Sequence, residues 1–216
     1  TGVIYKAGEQ VATLTTDKNG QASVDGLYLG DYYVKEISPS VGYLADETEH
    51  DLVCNYEGDL VAEVKRDCTS LEQVMKQPFQ IIKAANNGKT DADLLKGAGF
   101  TAYLESSLTK KADGNYEFAS ATPVVIGENG ATEMFTDEKG YACSIALPYG
   151  TYIVRETTTP HNYTPVDDFT VRITENNPNQ PQTWRVLLDD EFEAKLKIIK
   201  QDDETKKPVL QKNTEF

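Results

Sequence analysis

The sequence predicts an all-β chain built from tandem β-sandwich modules, and three observations predict it. First, residues 16–36 (TDKNGQASVDGLYLGDYYVKE) recur without a gap as residues 136–156 (TDEKGYACSIALPYGTYIVRE). Thr16, Asp17, Gly20, Ala22, Leu27, Gly30, Tyr32, Val34 and Glu36 return as Thr136, Asp137, Gly140, Ala142, Leu147, Gly150, Tyr152, Val154 and Glu156. A repeat on this scale means copies of one domain rather than a single large fold. Second, short alternating apolar and polar runs are separated by Gly, Asp, Asn and Pro clusters, the pattern of half-buried strands joined by turns. Third, only SLEQVMKQ (70–77) reads as helical, and it is short. Regular turns without a long helical run indicate a β-sandwich.

Taken in order, QVATLTT, QASVDGL and DYYVKEI read as the strands of the first copy, with DKNG as a hairpin turn in which Gly20 takes the positive-φ position. FQIIK (79–83) opens the second copy and recurs as LKIIK (196–200). GFTAYLES, the DEKG hairpin with Gly140, GTYIVRE, FTVRIT and TWRVLL follow. Tyr, Val, Thr and Ile dominate these runs, which suits a pleated, half-buried surface. Each module therefore reads as a strand carrying a lysine, a loop, a strand, a TD-x-x-G hairpin, a strand ending in glutamate, a Pro/Tyr turn and the closing strands. This template gives a first module over 1–78, a full module over 79–193, and the opening strands of a third over 194–216, ending in QKNTEF. The spacing of Lys83 and Glu156 places the first module's lysine upstream of residue 1, so the chain reads as a slice of a longer array.

At 216 residues, two copies of roughly 110 residues each have enough chain for separate cores. The net charge of −14 argues against nucleic acid and anionic membrane surfaces as partners. No run of about 18 apolar residues is present to span a membrane. The three cysteines, Cys54, Cys68 and Cys143, form no disulfide framework and no CxxC. Cys143 reads as a small buried hydrophobe in YACSIAL, and a Cys54–Cys68 bridge is an alternative for the other two. His50 and His161 lack ligand spacing, so no metal and no cofactor is expected. The tyrosines and Trp184 read as packing residues rather than as a sugar platform.

The chemistry lies in the recurring Lys and Glu. On a solvated strand face they form an ion pair worth little. Turned inward, they are costly to bury alone. Buried amines and carboxyls favour their neutral forms, and a neutral amine beside a carboxylic acid is the starting material for an amide.

GDYYVKEISPSVGYL and GTYIVRETTTPHNYTP resemble the G-x-Y-x-x-x-E-x-x-x-P-x-G-Y segment of CnaB-type domains, the SpaA-like or prealbumin-like modules of Gram-positive surface proteins and pilins. The TDKNG and TDEKG hairpins and the IIKAANNGKT and IIKQDDETKKPVL openings match the same family in order, so the resemblance covers the whole chain. The second copy departs by one extra residue before Pro160 and by Asn162 in place of the turn glycine Gly42.

The resemblance implies an immunoglobulin-like or prealbumin-like sandwich and a spontaneous intramolecular isopeptide bond. It makes Lys83 the nucleophile, Glu156 the general acid/base, and Glu36 its equivalent in the first module. The acceptor falls on Asp189, with its neighbour Asp190 as the lesser alternative. Asp67 and Asn55 are the acceptor candidates of the first module, and Lys200 is the third module's lysine. Such a reaction occurs once per molecule and is not enzymatic turnover. The implied function is a stalk or spacer of a cell-wall-anchored adhesin or pilus-like protein, extracellular and flanked by modules of the same chain. The alternatives are a binding module whose loops contact a host matrix protein or glycan, and an accessory domain of a secreted hydrolase, for which no catalytic motif is present. An unpaired strand edge is a template for another chain, so the tail 195–216 is also a candidate to complement the first module of a neighbouring molecule, head to tail.

Overall fold

The computed structural model describes residues 4–89, 93–210, 212 and 215. The chain divides into two compact units, residues 1–73 and 74–216. Strands of three residues or more are numbered along the chain.

In the second unit these are β3 (Gln80–Asn86), β4 (Gly99–Leu104), β5 (Glu133–Phe135), β6 (Tyr141–Cys143), β7 (Gly150–Thr158), β8 (Phe169–Ile173) and β9 (Arg185–Asp190). They form two sheets. One is antiparallel, in the order β5-β4-β7-β8; the other has the order β6-β3-β9. In the second sheet β6 runs antiparallel to β3, and β9 runs parallel to it. The unit's opening and closing strands are thus direct neighbours. Parallel neighbours need a crossover, and here the whole first sheet lies within it. The core is the apolar layer between the sheets: Phe79, Ile81, Phe100, Ile126, Leu147, Tyr152, Val154, Val171 and Ile173 are all nearly or fully buried. Strand alternation supplies them, since residues two apart share a face.

The first unit holds β1 (Gly30–Val34) and β2 (His50–Cys54), paired antiparallel from Gly30↔Cys54 to Val34↔His50. This pairing reproduces that of β7 with β8, and other local features recur with it. Tyr32 Oη donates to Tyr28 O at 2.5 Å, as Tyr152 Oη donates to Pro148 O at 2.8 Å. Asp17 Oδ1 accepts from the Asn19 and Gln21 amides, as Asp137 Oδ1 accepts from those of Lys139 and Tyr141. These amides hold both carboxyls below the usual aspartate range. Gly42 and Asn162 both take positive φ, and asparagine tolerates that region without glycine's freedom.

Several expectations are corrected. QVATLTT and QASVDGL form no strand. In the second unit the corresponding β6 exists by pairing with β3, and that partner strand has no counterpart among the described residues of the first unit. LKIIK (196–200) is likewise no strand, although Gln201 and Pro208 form a bridge beyond it. SLEQVMKQ is not helical: Lys76 and Gln77 pair antiparallel with Pro148 and Leu147. Eight residues are too few for a helix to persist without tertiary support. Cys143 is half-buried rather than buried, and all three cysteines are free, Cys54 and Cys68 included. Most of QKNTEF lies outside the described residues.

Gly140 has φ +63°, and a Cβ there would strike the Lys83 carbonyl oxygen and stand 3.3 Å from the Leu95 amide nitrogen. Gly114 has φ +89° with open space around it. Both replacements by alanine incur roughly 1–2 kcal/mol of left-handed strain. Gly140→Ala adds overpacking worth about 1–3 kcal/mol. Urea unfolding of the second unit should therefore show Gly140→Ala as clearly the less stable variant; equal losses would mean that the contact with Lys83 is not tight.

Candidate functional site

Lys83 sits on β3 in phase with Phe79 and Ile81, so the alternation that buries those side chains also points the lysine inward. Asp189 lies on β9. The parallel register sets Lys83 opposite Leu187 and Asp189 opposite Ala85, which makes Asp189 a diagonal neighbour of Lys83 on the same inner face. Glu156 comes from β7 in the opposing sheet, in phase with the buried Tyr152 and Val154. It reaches Lys83 across the core. A register shift follows at once, between Glu156 and Thr158, in the segment where the second copy is one residue longer than the first. Such a bulge re-aims the strand.

The three side chains are fully buried, and Lys83 contacts both carboxyls. Lys83 Nζ donates to Glu156 Oε2 at 2.8 Å and makes a short contact with Asp189 Oδ1. Glu156 Oε2 also accepts from the Val166 amide at 3.0 Å, which fixes the carboxyl. The lysine nitrogen lies 5.7 Å from the centre of the Phe100 ring, so the cluster has an apolar wall. Burial pushes the Asp189 carboxyl up to about 6, against the opposing pull of Lys83. A carboxyl raised in the fold stabilises the fold fully below its unfolded value near 3.8, and that contribution is lost as pH rises through about 6. Glu156 Oε1 and Asp189 Oδ2 are buried without a hydrogen-bond partner among the described residues. Orphaned buried oxygens are rare and call for a chemical explanation.

Two features of this site were not read from the sequence. Gly140 recurs as a turn glycine, but its carbonyl also accepts from the Lys83 amide at 2.7 Å, so the hairpin locks the lysine's strand in place. Thr136 recurs as part of the same motif. Its hydroxyl donates to Leu95 O at 2.7 Å and accepts from the Ala98 amide at 2.9 Å. The signal for both was present in the TD-x-x-G repeat.

The other residues singled out lie elsewhere. Asp190 faces outward and accepts from Asn86 Nδ2 at 2.7 Å. Glu36 is half-buried and accepts from the Asp46 amide at 2.5 Å, the same contact ten residues on that Glu156 makes with Val166. Asp67 and Asn55 are both exposed. The Lys200 carbonyl accepts from the Val209 amide at 2.8 Å. Among the described residues no group of three or more His, Cys, Asp or Glu side chains is arranged to hold a metal. No helix of the described residues is long and apolar enough to cross a membrane.

The family model for the SpaA prealbumin-like fold domain matches residues 2–67 and 78–185. The Bacillus anthracis TIE protein is 27% identical with a TM-score of 0.50, over 82% of this chain and 28% of that one. GBS52, the minor pilin of the Gram-positive pathogen Streptococcus agalactiae, is 16% identical with a TM-score of 0.45, over 87% and 71% of the two chains. The C-terminal domain of the shaft pilin spaA from Lactobacillus rhamnosus GG is 21% identical with a TM-score of 0.36, over 55% and 99%. No curated protein matches the chain. The chain thus spans little more than a quarter of the TIE protein's length. The family match comes in two segments, one on each copy of the repeat, and together they span most of the sequence: the chain belongs to the SpaA prealbumin-like fold domains, a structural family and not an enzymatic one.

Proposed function

We propose that the second unit is a force-bearing module of a bacterial surface stalk or pilus, closed by a Lys83–Asp189 isopeptide bond that Glu156 promotes. The observation that carries this reading is the buried contact of Lys83 Nζ with both carboxyls. The resemblance to pilins and the SpaA family match support the surface role.

The chemistry balances within the three residues. Lys83 Nζ attacks Asp189 Cγ, the N–Cγ bond forms, a Cγ–O bond breaks, and one oxygen leaves as water. Glu156 takes a proton from the nitrogen and returns one to the departing hydroxyl, as a positioned acid/base does. Contact between amine and carboxyl replaces a bimolecular step, an advantage of about 10⁵ M or more in effective concentration. The two orphaned oxygens fit this course. One belongs to the carboxyl that loses an oxygen, and the other to the acid that afterwards donates to the new amide.

The attack requires the lysine as a free amine, the acceptor as a carboxylic acid, and a proton on Glu156 to give to the departing hydroxyl. A lysine cation with one ionised carboxylate carries the same two protons and the same zero charge. Either form is a tolerable buried state, whereas a net charge is not.

The bond would close a loop of 106 residues. By analogy with a disulfide of that span, it removes roughly 4–5 kcal/mol of unfolded-state entropy. Its mechanical effect is larger. β3 and β9 are neighbouring parallel strands at the two ends of the unit. Tension along the chain would pass from one to the other through the crosslink, and the sheet between them would carry no load.

Intact mass tests the bond directly. The 216-residue chain should weigh one water less than its sequence, whereas Lys83→Ala, Asp189→Ala and Glu156→Ala should each keep the full mass. A full mass for the parent chain would remove the bond and leave a buried polar cluster.

The pH dependence tests the mechanism. The two-proton state is depleted as Asp189 ionises, so bond formation should slow about tenfold per pH unit above about 6 and level off below it. Refolding unlinked chain from urea at stepped pH, with the mass change followed over time, gives the profile. A rate that rises between pH 6 and 8 would assign the limiting proton to the lysine instead.

A further inference from the structure

The sheet of β6, β3 and β9 has a second face, turned away from the core. Alternation decides what stands on it: Ile81 and Ala142 point inward, so Gln80, Ile82 and Tyr141 point outward. Trp184 joins them from the segment just before β9. Expected as a packing residue, it is instead 60% exposed. Its ring and that of Tyr141 approach each other from the two strands that flank β3, with centroids 6.0 Å apart and planes tilted by 57°. With Gln80, Ile82, Asp137 and Lys139 they line an open cleft of about 340 Å³.

The turn beside the cleft does not require the tyrosine ring. The first copy of the repeat has Gln21 at the position of Tyr141, and the Gln21 amide closes the turn on Asp17 as the Tyr141 amide closes it on Asp137. The turn uses the backbone of residue 141 and leaves its side chain to another purpose. Trp184, in turn, buries too little of its surface to serve the core.

The cleft is braced. Tyr141 Oη donates to Gln80 Oε1 at 3.1 Å, and Gln80 Nε2 donates to Gln182 O at 2.8 Å. The Gln182 amide donates to Pro78 O at 2.9 Å. These bonds tie both aromatic walls to β3, so little side-chain freedom is left to be lost on binding.

The polar groups of the rim point to one ligand chemistry. Asp137 Oδ1 is taken by the Lys139 and Tyr141 amides, while Oδ2 accepts no hydrogen bond from the described residues. A carboxylate only accepts, an ammonium only donates, and the second Nε2–H of Gln80 is still to be given. Such a set suits uncharged groups that both donate and accept, which is what hydroxyls do. The ring faces carry negative potential and suit the flat array of C–H bonds on a pyranose. A proline-rich segment also fits aromatic clefts, but it presents carbonyl acceptors and would leave Asp137 Oδ2 unmatched. The net charge of −14 disfavours polyanions.

We propose that this cleft is a saccharide-binding site, in which a neutral hexose ring stacks on Trp184 with its edge against Tyr141 and its hydroxyls bond Asp137, Lys139 and Gln80. The second unit thus carries a recognition surface on the outer face of the sheet whose inner face holds Lys83 and Asp189. The two are independent, because they share no residue.

Trp184 is the one tryptophan of the 216-residue chain, so its fluorescence reports this cleft alone. Lactose, cellobiose, maltose and N,N′-diacetylchitobiose are titrated separately up to roughly 20 mM, because an open site for so small a ligand binds with about millimolar strength. At least one should change the emission to saturation, and sorbitol, an open-chain polyol without a ring face, should not. Tyr141→Gln installs the first copy's residue, keeps the turn, and should weaken that saccharide about tenfold. Trp184→Ala, at an exposed position, should abolish the heat of binding in calorimetry and leave the thermal unfolding midpoint unchanged. Silence towards all four saccharides would overturn the proposal, as would an equal response to sorbitol or an affinity unmoved by Tyr141→Gln. A response to an oligoproline peptide alone would overturn it too, and would assign the cleft to peptide.

Discussion

The parallel pairing of the unit's opening and closing strands is the constraint on which the rest of the site depends. It brings residues 83 and 189 onto one inner face, one step apart along neighbouring strands. A hairpin cannot produce it, because parallel strands require a long crossover. Here that crossover contains the opposing sheet, which delivers Glu156 to the same point from the other side. The geometry of the three side chains thus follows from topology before any side-chain preference is considered. The second layer of control is local: the Gly140 carbonyl and the bulge after Glu156 set the final position of two of the three.

Such a cluster is a poor device for stability if it stays unreacted. Burying an ion pair commonly gains no more than a well-packed apolar substitute of the same volume, and two oxygens of this cluster make no hydrogen bond among the described residues. Burial lifts Asp189 towards 6 although a lysine nitrogen touches it, which shows desolvation prevailing over attraction. The unreacted arrangement is therefore one in which charge is costly and neutral forms are favoured. An amide, neutral at every pH, suits that environment better than either charged partner.

Much of this was legible in the sequence, and the reasons are specific. Strand alternation placed Lys83 in phase with Phe79 and Ile81, and Glu156 in phase with Val154, so their inward direction could be argued from period alone. Asp189 and Asp190 were harder to separate, because adjacent strand residues face opposite ways and only the register with β3 decides which one enters the core. The segment 70–77 was misread because eight residues fit a helical and an extended pattern equally well, and a tertiary partner at Leu147–Pro148 decided the outcome. The acceptor of the first unit could not be placed by the same means. Asp67 and Asn55 follow a strand whose counterpart in the second unit continues into a shorter and differently spaced region, so the repeat gives no register there.

The repeat also separates what is local in this fold from what is cooperative. The Asx-type turn at Asp17, the tyrosine hydroxyl bond at Tyr32, the positive φ at Gly42 and the glutamate–amide contact at Glu36 all form in the first unit, where the inner face is open. Their formation therefore depends on sequence within ten residues of each. The strands at 10–16 and 21–27 do not form there, although Thr16, Ala22 and Leu27 recur as Thr136, Ala142 and Leu147. A strand is a paired state, and its backbone groups gain nothing from extension alone. What the described residues of the first unit lack is thus the covering element carrying Ile-Ile-Lys. In the second unit that element supplies the pairing partner, the apolar cover and the Lys83 nitrogen together, so there the formation of the core and the assembly of the candidate site are a single event.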